Sequence, residues 1–206
     1  MNSQRLKRGL RRFLCAGLCI VIVFSMFGYT SPVRVSAAPL SLTNPGFEDG
    51  MEGWTLVVGS QDQVTIDSTI VSEGLKSLKI ADTSKSASYM VESNKIAVNE
   101  GYKYTAAAKF YQKGRTAGYA NISLVFYNAD HALIPISPVA EATATYLNNA
   151  WTDLSVSRNA PDGAAYVSIR LATTTSYVSE GAYFDAVSLD EDSDDYNIAE
   201  SDSQAL

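Results

Sequence analysis

The stretch YANISLVFYN, residues 119–128, carries two sets of side chains that alternate along the chain. Ala120, Ile122, Leu124 and Phe126 are apolar, whereas the alternate positions are Tyr119, Asn121, Ser123, Val125 and Tyr127. A repeat of two residues is characteristic of a β-strand that buries one face and turns the other toward solvent. The stretch therefore predicts a half-buried strand.

The same repeat occurs along much of the chain. The stretches YTAAAKFY (104–111) and AYVSIRLA (165–172) alternate in this way, as do VTIDSTI (64–70) and SLKIAD (77–82). Glycine, proline, asparagine and aspartate punctuate the segments between them, as expected of turns. We count eight or nine strands and no amphipathic helix, although a short helix could lie within residues 137–150. Many short strands predict an all-β fold, a single jelly-roll sandwich of two antiparallel sheets.

The first 38 residues have the organisation of a secretory signal peptide. Residues 5–12 are basic, residues 13–28 are mostly apolar, and small residues at 36–38 provide a cleavage site. A retained membrane anchor is the alternative, but the apolar run is shorter than the roughly 20 residues that a membrane-spanning helix needs. We therefore predict a secreted, extracellular protein, either free or associated with the cell surface, whose folded domain spans residues 39–190.

Removal of this segment changes the charge of the chain and its cysteine content. Six of the 16 basic residues and both cysteines leave with it, whereas all 22 acidic residues remain, so the net charge becomes −12. Such an acidic surface argues against nucleic acid and anionic membranes as partners. A secreted domain without disulfides depends on its core, and a bound metal ion could add stability.

The C-terminal residues 191–206 continue a strongly acidic stretch that begins at Asp190. Seven acids and few apolar residues between positions 190 and 206 predict disorder. This tail is either a solvated end or the start of a linker to a further, catalytic domain.

Polar and aromatic residues occupy the predicted outer faces of the strands. Flat rings can stack on sugar rings, and amide or cationic side chains can bond sugar hydroxyls. We expect an open groove if the strands are neighbours, although tyrosine is also common in ordinary strands. The candidate ligand-binding residues are Lys109, Tyr111, Asn121, Tyr127 and Arg170.

Five short motifs follow one another in an order that resembles known modules. The series is similar to the carbohydrate-binding modules of families 4 and 9, and more distantly family 22, which are galactose-binding-like jelly rolls. The resemblance covers about residues 40–189 and implies a non-catalytic module that binds a polysaccharide. The motifs are NPGFEDGMEGW (44–54), GLKSLKI (74–80), NEGYKYTAAAKF (99–110), NAWTDLSV (149–156) and YFDAVSL (183–189).

The resemblance also implies roles for particular residues. Glu48 of the first motif and Asp185 of the last correspond to ligands of a structural calcium ion, a cation that prefers oxygen ligands. Trp54 corresponds to an aromatic residue that lines the sugar cleft in some modules and packs inside in others, so both roles remain open. Lys109 stands where these modules often have a tryptophan, which favours a soluble polysaccharide over a crystalline surface.

Two other classes of function compete with carbohydrate binding. The single histidine of the chain, His131, lies in a predicted turn, and no phosphate-binding or dinucleotide motif is present. Glu92, Glu141 and Glu180 are candidates for the paired carboxylates of a polysaccharide-degrading enzyme. The remaining alternative is a cell-surface structural or protein-interaction domain. This alternative would be favoured if the outer-face residues did not converge in one groove.

Overall fold

The computed structural model describes residues 40–82, 87–113, 120–137, 139–144, 149–173 and 179–192. These residues form eleven strands, and a single 3₁₀ turn at Gln61–Gln63 is the only helical element among them. The strands are β1 Trp54–Val58, β2 Val64–Asp67, β3 Ser77–Asp82, β4 Tyr89–Ser93, β5 Ile96–Ala97, β6 Lys103–Lys113, β7 Ala120–Tyr127, β8 Glu141–Ala144, β9 Thr152–Asn159, β10 Tyr166–Thr173 and β11 Ser179–Asp192.

The strands form two antiparallel sheets. The first sheet has the order β1-β4-β10-β7-β8, with the short β5 paired to β10. The second sheet has the order β2-β3-β11-β6-β9. This arrangement confirms the predicted all-β jelly-roll sandwich.

The hydrophobic core lies between the two sheets and consists of the residues that the alternation assigns to it. Phe126 on β7 and Ile169 on β10 are fully buried on the first sheet. Phe110 on β6 and Phe184 on β11 are fully buried on the second, with their ring centroids 5.4 Å apart. Burial of such side chains is the main favourable contribution to folding.

Two details of the later part of the chain differ from the sequence reading. Residues 141–144 form strand β8 rather than a helix, because they pair with β7 as an edge strand. β11 continues through Asp192, beyond the predicted end of the domain, and the Tyr104 hydroxyl donates a 2.6 Å hydrogen bond to Glu191 Oε2. The predicted signal peptide and residues 193–206 lie outside the described residues.

The described part of the chain contains no helix long and apolar enough to cross a membrane.

The burial of Phe110 leads to a prediction about stability. Phe110→Ala should lower the free energy of unfolding by about 3–5 kcal/mol, because the change opens a cavity between the sheets. The neighbouring Tyr111→Ala, on the outer face of the same strand, is the matched control and should cost less. Urea denaturation measures both variants, and an equal loss in the two would contradict this assignment of the core.

Candidate functional site

The predicted groove is wrong in one respect, since its residues belong to opposite sides of the sandwich. Lys109 and Tyr111 lie on β6, in the second sheet, whereas Asn121, Tyr127 and Arg170 lie on β7 and β10, in the first. Alternation along a strand indicates which residues share a face, but it does not indicate which sheet the strand joins. The two groups therefore cannot bind one ligand together.

Trp54 packs in the hydrophobic core. Its side chain is 5% exposed, and its ring centroid lies 5.0 Å from that of Phe47. Its indole Nε1 donates a 3.1 Å hydrogen bond to the carbonyl of Asn44, which satisfies its polar atom away from water. Of the two roles left open for Trp54, the structure supports the one in the core.

On the second sheet, the outer residues are engaged with one another. Lys109 Nζ lies 2.8 Å from Asp153 Oδ1. The Tyr111 ring contacts Trp151 at 5.5 Å with an interplanar angle of 50°, and Tyr183 at 5.8 Å with an angle of 85°. Because these rings meet at steep angles, they do not form one flat surface for a sugar chain.

On the first sheet, a carboxylate on the outer face binds groups from two neighbouring strands. Glu92 on β4 accepts hydrogen bonds at Oε1 from the Tyr127 hydroxyl and from Ser168 Oγ, the latter at 2.7 Å. Its Oε2 accepts a 2.7 Å hydrogen bond from Arg170 Nε. Arg170 Nη2 in turn donates to the Tyr127 hydroxyl at 3.3 Å. We call these four side chains the Glu92 network.

The Glu92 network shifts the pKa values of its members. Burial alone would raise the pKa of Glu92, but hydrogen bonds from Tyr127, Ser168 and Arg170 outweigh it and hold this pKa below its usual value. Burial and the neighbouring Glu92 carboxylate raise the pKa of Tyr127. Burial would lower the pKa of Arg170, but the bond to Glu92 raises it. At neutral pH the network therefore contains an ionised carboxylate, a guanidinium and a neutral phenol.

Aromatic and cationic side chains lie next to this network. Tyr166 on β10 pairs across the ladder with Tyr127 on β7. The exposed His131 ring stacks on Tyr166, with centroids 4.4 Å apart and planes 28° apart. The exposed ammonium group of Lys95 lies 3.9 Å from the centroid of the Tyr127 ring. This end of the face offers rings and charges to a ligand.

The other end of the same face carries amide and carboxylate groups. Asn121 Nδ2 donates a 3.3 Å hydrogen bond to Glu141 Oε2 on the edge strand β8. The first sheet thus brings together three of the predicted ligand-binding residues, namely Asn121, Tyr127 and Arg170.

Sequence reasoning treated two residues of this face incompletely. Glu92 was considered only as a catalytic acid, although the alternation in YMVES places it opposite the buried Val91 and hence on the same face as Arg170. His131 lies in an exposed turn, as predicted, but its stacking on Tyr166 depends on a long-range contact. The side chain of Glu180, the remaining catalytic candidate, lies outside the described residues.

The two predicted calcium ligands hold one loop between them. Asp185 is fully buried, and its Oδ2 accepts hydrogen bonds from the backbone N–H groups of Ser72 and Glu73 at 2.8 and 3.0 Å. Glu48 Oε1 accepts from the N–H groups of Leu75 and Lys76 at 2.8 and 3.0 Å. Both carboxylates therefore fix the segment 72–76 against the sheet.

The remaining oxygen atoms of these carboxylates could supply only some of the ligands that a cation needs. Asp185 Oδ1 accepts one backbone hydrogen bond, from Ala186, and Glu48 Oε2 accepts none from the described residues, so both retain acceptor capacity. No group of three or more His, Cys, Asp or Glu residues capable of holding a metal occurs in the described ranges. Calcium takes 6–8 oxygen ligands, so backbone carbonyls and water would have to supply most of them.

The chain belongs to a family of carbohydrate-binding domains, CBM_4_9, whose profile matches residues 41–177. By family, such a domain is non-catalytic. Comparison with curated proteins gives no match.

Solved structures with the same fold include binding modules and enzymes. A cyclase from Fischerella sp. TAU superposes with a TM-score of 0.60 and 16% identity, over 76% of this chain and 98% of the cyclase. A family 16 carbohydrate-binding module gives a TM-score of 0.53 and 17% identity, over 71% of this chain and 96% of that module.

A third similar structure joins such a module to an enzyme. The CBM22-1–GH10 modules of Clostridium thermocellum xylanase 10B, complexed with xylohexaose, give a TM-score of 0.54 and 18% identity over 74% of this chain. The chain spans less than a third of the length of this xylanase chain. It also spans less than a third of a bacteriophage CBA120 tailspike protein chain that it matches. At identities this low, the similarity to these structures establishes the shared fold alone.

The lowered pKa of Glu92 predicts that the free energy of unfolding depends on pH in the acid range. A carboxyl group whose pKa is lower in the folded state stabilises that state above its unfolded pKa of about 4.3 and loses this contribution as the pH falls through the folded value. Glu92→Gln should therefore cost about 1.5–3 kcal/mol of unfolding free energy at pH 7, the contribution of a hydrogen bond to a charged group. Below about pH 4 the difference from the wild type should shrink.

Urea denaturation across this pH range measures the effect. Glu52→Gln, at an exposed position, is the control and should follow the wild type. A gap between Glu92→Gln and the wild type that stays constant down to pH 2 would contradict the role of the ionised carboxylate.

Proposed function

We propose that this chain is a secreted, non-catalytic module that binds a soluble polysaccharide on the outer face of the first sheet. The observation that carries the proposal is the Glu92 network, which holds a guanidinium and a phenol in fixed positions on a face that points away from the core. Family membership supports a saccharide as the ligand.

Fixed polar groups favour the binding of a sugar for a physical reason. A hydrated sugar exchanges hydrogen bonds with water for hydrogen bonds with protein, so each bond adds little net free energy. Ordering a flexible side chain on binding would offset that gain, and the Glu92 network removes much of this cost because Arg170 is already held. Ring contact would come mainly from the half-buried Tyr166. Tyr127 is 6% exposed and lies beneath Lys95, so its ring would contribute only once that lysine moves.

The structure changes the set of residues in the proposed site. Asn121, Tyr127 and Arg170 remain, and Tyr166 joins them because it lies beside Tyr127 on the same face. The proposed site no longer includes Lys109 and Tyr111, which lie on the second sheet, or Trp54, which lies in the core.

The placement of the carboxylates supports binding rather than hydrolysis. Glu92 and Glu141 lie in one row across the sheet, but β10 and β7 separate their strands. Three strand spacings place the two backbones about 14 Å apart, and each carboxylate is held by a partner of its own, Arg170 for Glu92 and Asn121 for Glu141. The lowered pKa of Glu92 also makes it a poor proton donor at neutral pH.

We further propose a structural calcium ion held by Glu48 Oε2 and Asp185 Oδ1. Bound calcium would supply a positive charge that joins the N-terminal loop to β11, which suits a domain without disulfides. The two side chains approach the same glycine, since a Cβ atom at Gly46 would lie 3.8 Å from Asp185 Oδ1 and 3.9 Å from Glu48 Cγ.

The acidic C-terminal tail is consistent with a linker to a catalytic domain. The xylanase 10B structure couples a carbohydrate-binding module to a glycoside hydrolase module. We propose the same arrangement as the context of this chain.

The proposed site predicts a contrast between two tyrosines. Tyr166→Ala should weaken binding by on the order of 1–3 kcal/mol, by comparison with stacking of nucleic-acid bases on aromatic side chains. The matched control, Tyr111→Ala on the opposite sheet, should bind as the wild type does. Affinity electrophoresis in a panel of soluble polysaccharides identifies the ligand and measures both variants, with circular dichroism to confirm folding. Equal binding by folded Tyr166→Ala and the wild type would contradict this location.

The proposed calcium ion predicts a cation-dependent melting temperature. At a calcium concentration about 100 times its dissociation constant, the ion should add roughly 2.7 kcal/mol to the free energy of unfolding. Asp185→Asn should abolish the difference between calcium and chelator, whereas the exposed Asp190→Asn should retain it. Thermal unfolding in calcium and in chelator measures each, and a wild type with the same melting temperature in both would exclude the ion.

A further inference from the structure

The ammonium group of Lys95 lies over the aromatic ring that a sugar would be expected to contact. Its Nζ is 3.9 Å from the Tyr127 ring centroid, within the range of a cation–π interaction. Lys95 is exposed and forms no ion pair with the residues that the structure describes. A neutral sugar that stacks on this side of the ring would have to displace the ammonium group and could offer it only hydroxyl hydrogen bonds, whereas a carboxylate would form the stronger, charge-assisted bond.

A second cation contacts the same tyrosine. Arg170 Nη2 lies 3.3 Å from the Tyr127 hydroxyl, and the Arg170 side chain is 23% exposed. The charge of Glu92, which accepts a hydrogen bond from the same Tyr127, is already balanced by Arg170 through Nε. Lys95 therefore leaves this end of the face with an excess of positive charge, although the chain as a whole is acidic.

Two other acids, Glu141 and Glu100, already accept hydrogen bonds from the protein. Glu141 accepts a hydrogen bond from Asn121 at the far end of the face, and Glu100 Oε2 accepts a 2.7 Å hydrogen bond from the Gly163 N–H group. Asp130 is exposed in the turn next to His131. The cationic end thus lies within an acidic surface, which favours a ligand that brings a negative charge to a defined position.

We propose that Lys95 is a specificity-determining residue that selects polysaccharides carrying carboxylate groups, that is, chains containing uronic acids. The ligand carboxylate pairs with the Lys95 ammonium and draws it from the Tyr127 ring, and the adjoining sugar then packs on the side of Tyr127 that Lys95 has left; with Lys95 in place, Tyr127 is 6% exposed. Arg170 Nη2 lies close enough to Tyr127 to bond a hydroxyl of the same sugar. This inference rests on the proposed function, since it assigns a ligand class to the same face.

Matched pairs of polymers that differ only in charge test the proposal. Suitable pairs are polygalacturonate with its fully methyl-esterified form, and a glucuronoxylan with the same xylan after reduction of its uronic carboxyl groups. Binding by the full chain is measured at low and high salt by affinity electrophoresis and calorimetry. The variants are Lys95→Gln and the control Lys79→Gln, which removes a lysine that lies 5.8 Å from the centroid of Tyr183 on the opposite sheet.

The wild type and Lys79→Gln should prefer the charged member of at least one pair, and high salt should reduce the preference. Lys95→Gln should lose roughly two- to fivefold in affinity for that charged polymer, the effect of one exposed ion pair, without losing affinity for its neutral form. Equal binding of charged and neutral forms by the wild type would overturn the proposal while leaving polysaccharide binding intact. A preference for charge that persists in Lys95→Gln would also overturn it. If the chain binds neither the four polymers nor any other soluble glycan, both this inference and the proposed function are overturned.

Discussion

The Glu92 carboxylate joins three neighbouring strands on the outer face of the first sheet. It binds Tyr127 on β7 and both Ser168 and Arg170 on β10, while its own strand is β4. A partly buried charge is costly unless it is paired and hydrogen-bonded, and here three donors meet that requirement. Tyr127, Ser168 and Arg170 are therefore held together by that single carboxylate.

This arrangement explains how one sandwich can have a hydrophobic core and a polar face on the same strand. β10 alternates Val167, Ile169 and Leu171 toward the core with Ser168 and Arg170 on the other side. The core residues stabilise the fold, and the Glu92 network orients groups that a ligand can meet. The outer face of the second sheet carries aromatic rings as well, but they pack against one another at steep angles.

The sequence predicted the fold and the core well because the alternation of apolar residues is a local property. It could not predict the composition of the site, because site residues converge through the pairing of distant strands. β6 and β7 are consecutive in the chain, yet β6 pairs with β9 and β11 while β7 pairs with β8 and β10.

The same limit applied to individual residues. Trp54 remained ambiguous until its contact with Phe47 was known, and Lys95 gave no signal because it lies in a connection between strands. The link between Glu92 and Arg170 joins positions 78 residues apart in the chain.

The most direct test of the account is to locate the bound ligand on the protein by nuclear magnetic resonance. A soluble oligosaccharide, prepared from the polymer that binds most strongly, is titrated into the isotope-labelled domain, and the backbone amide signals are followed. The account predicts that the largest shifts fall on β4, β7 and β10, around Glu92, Tyr127 and Arg170. Shifts confined to β6 and β9 of the second sheet would contradict it.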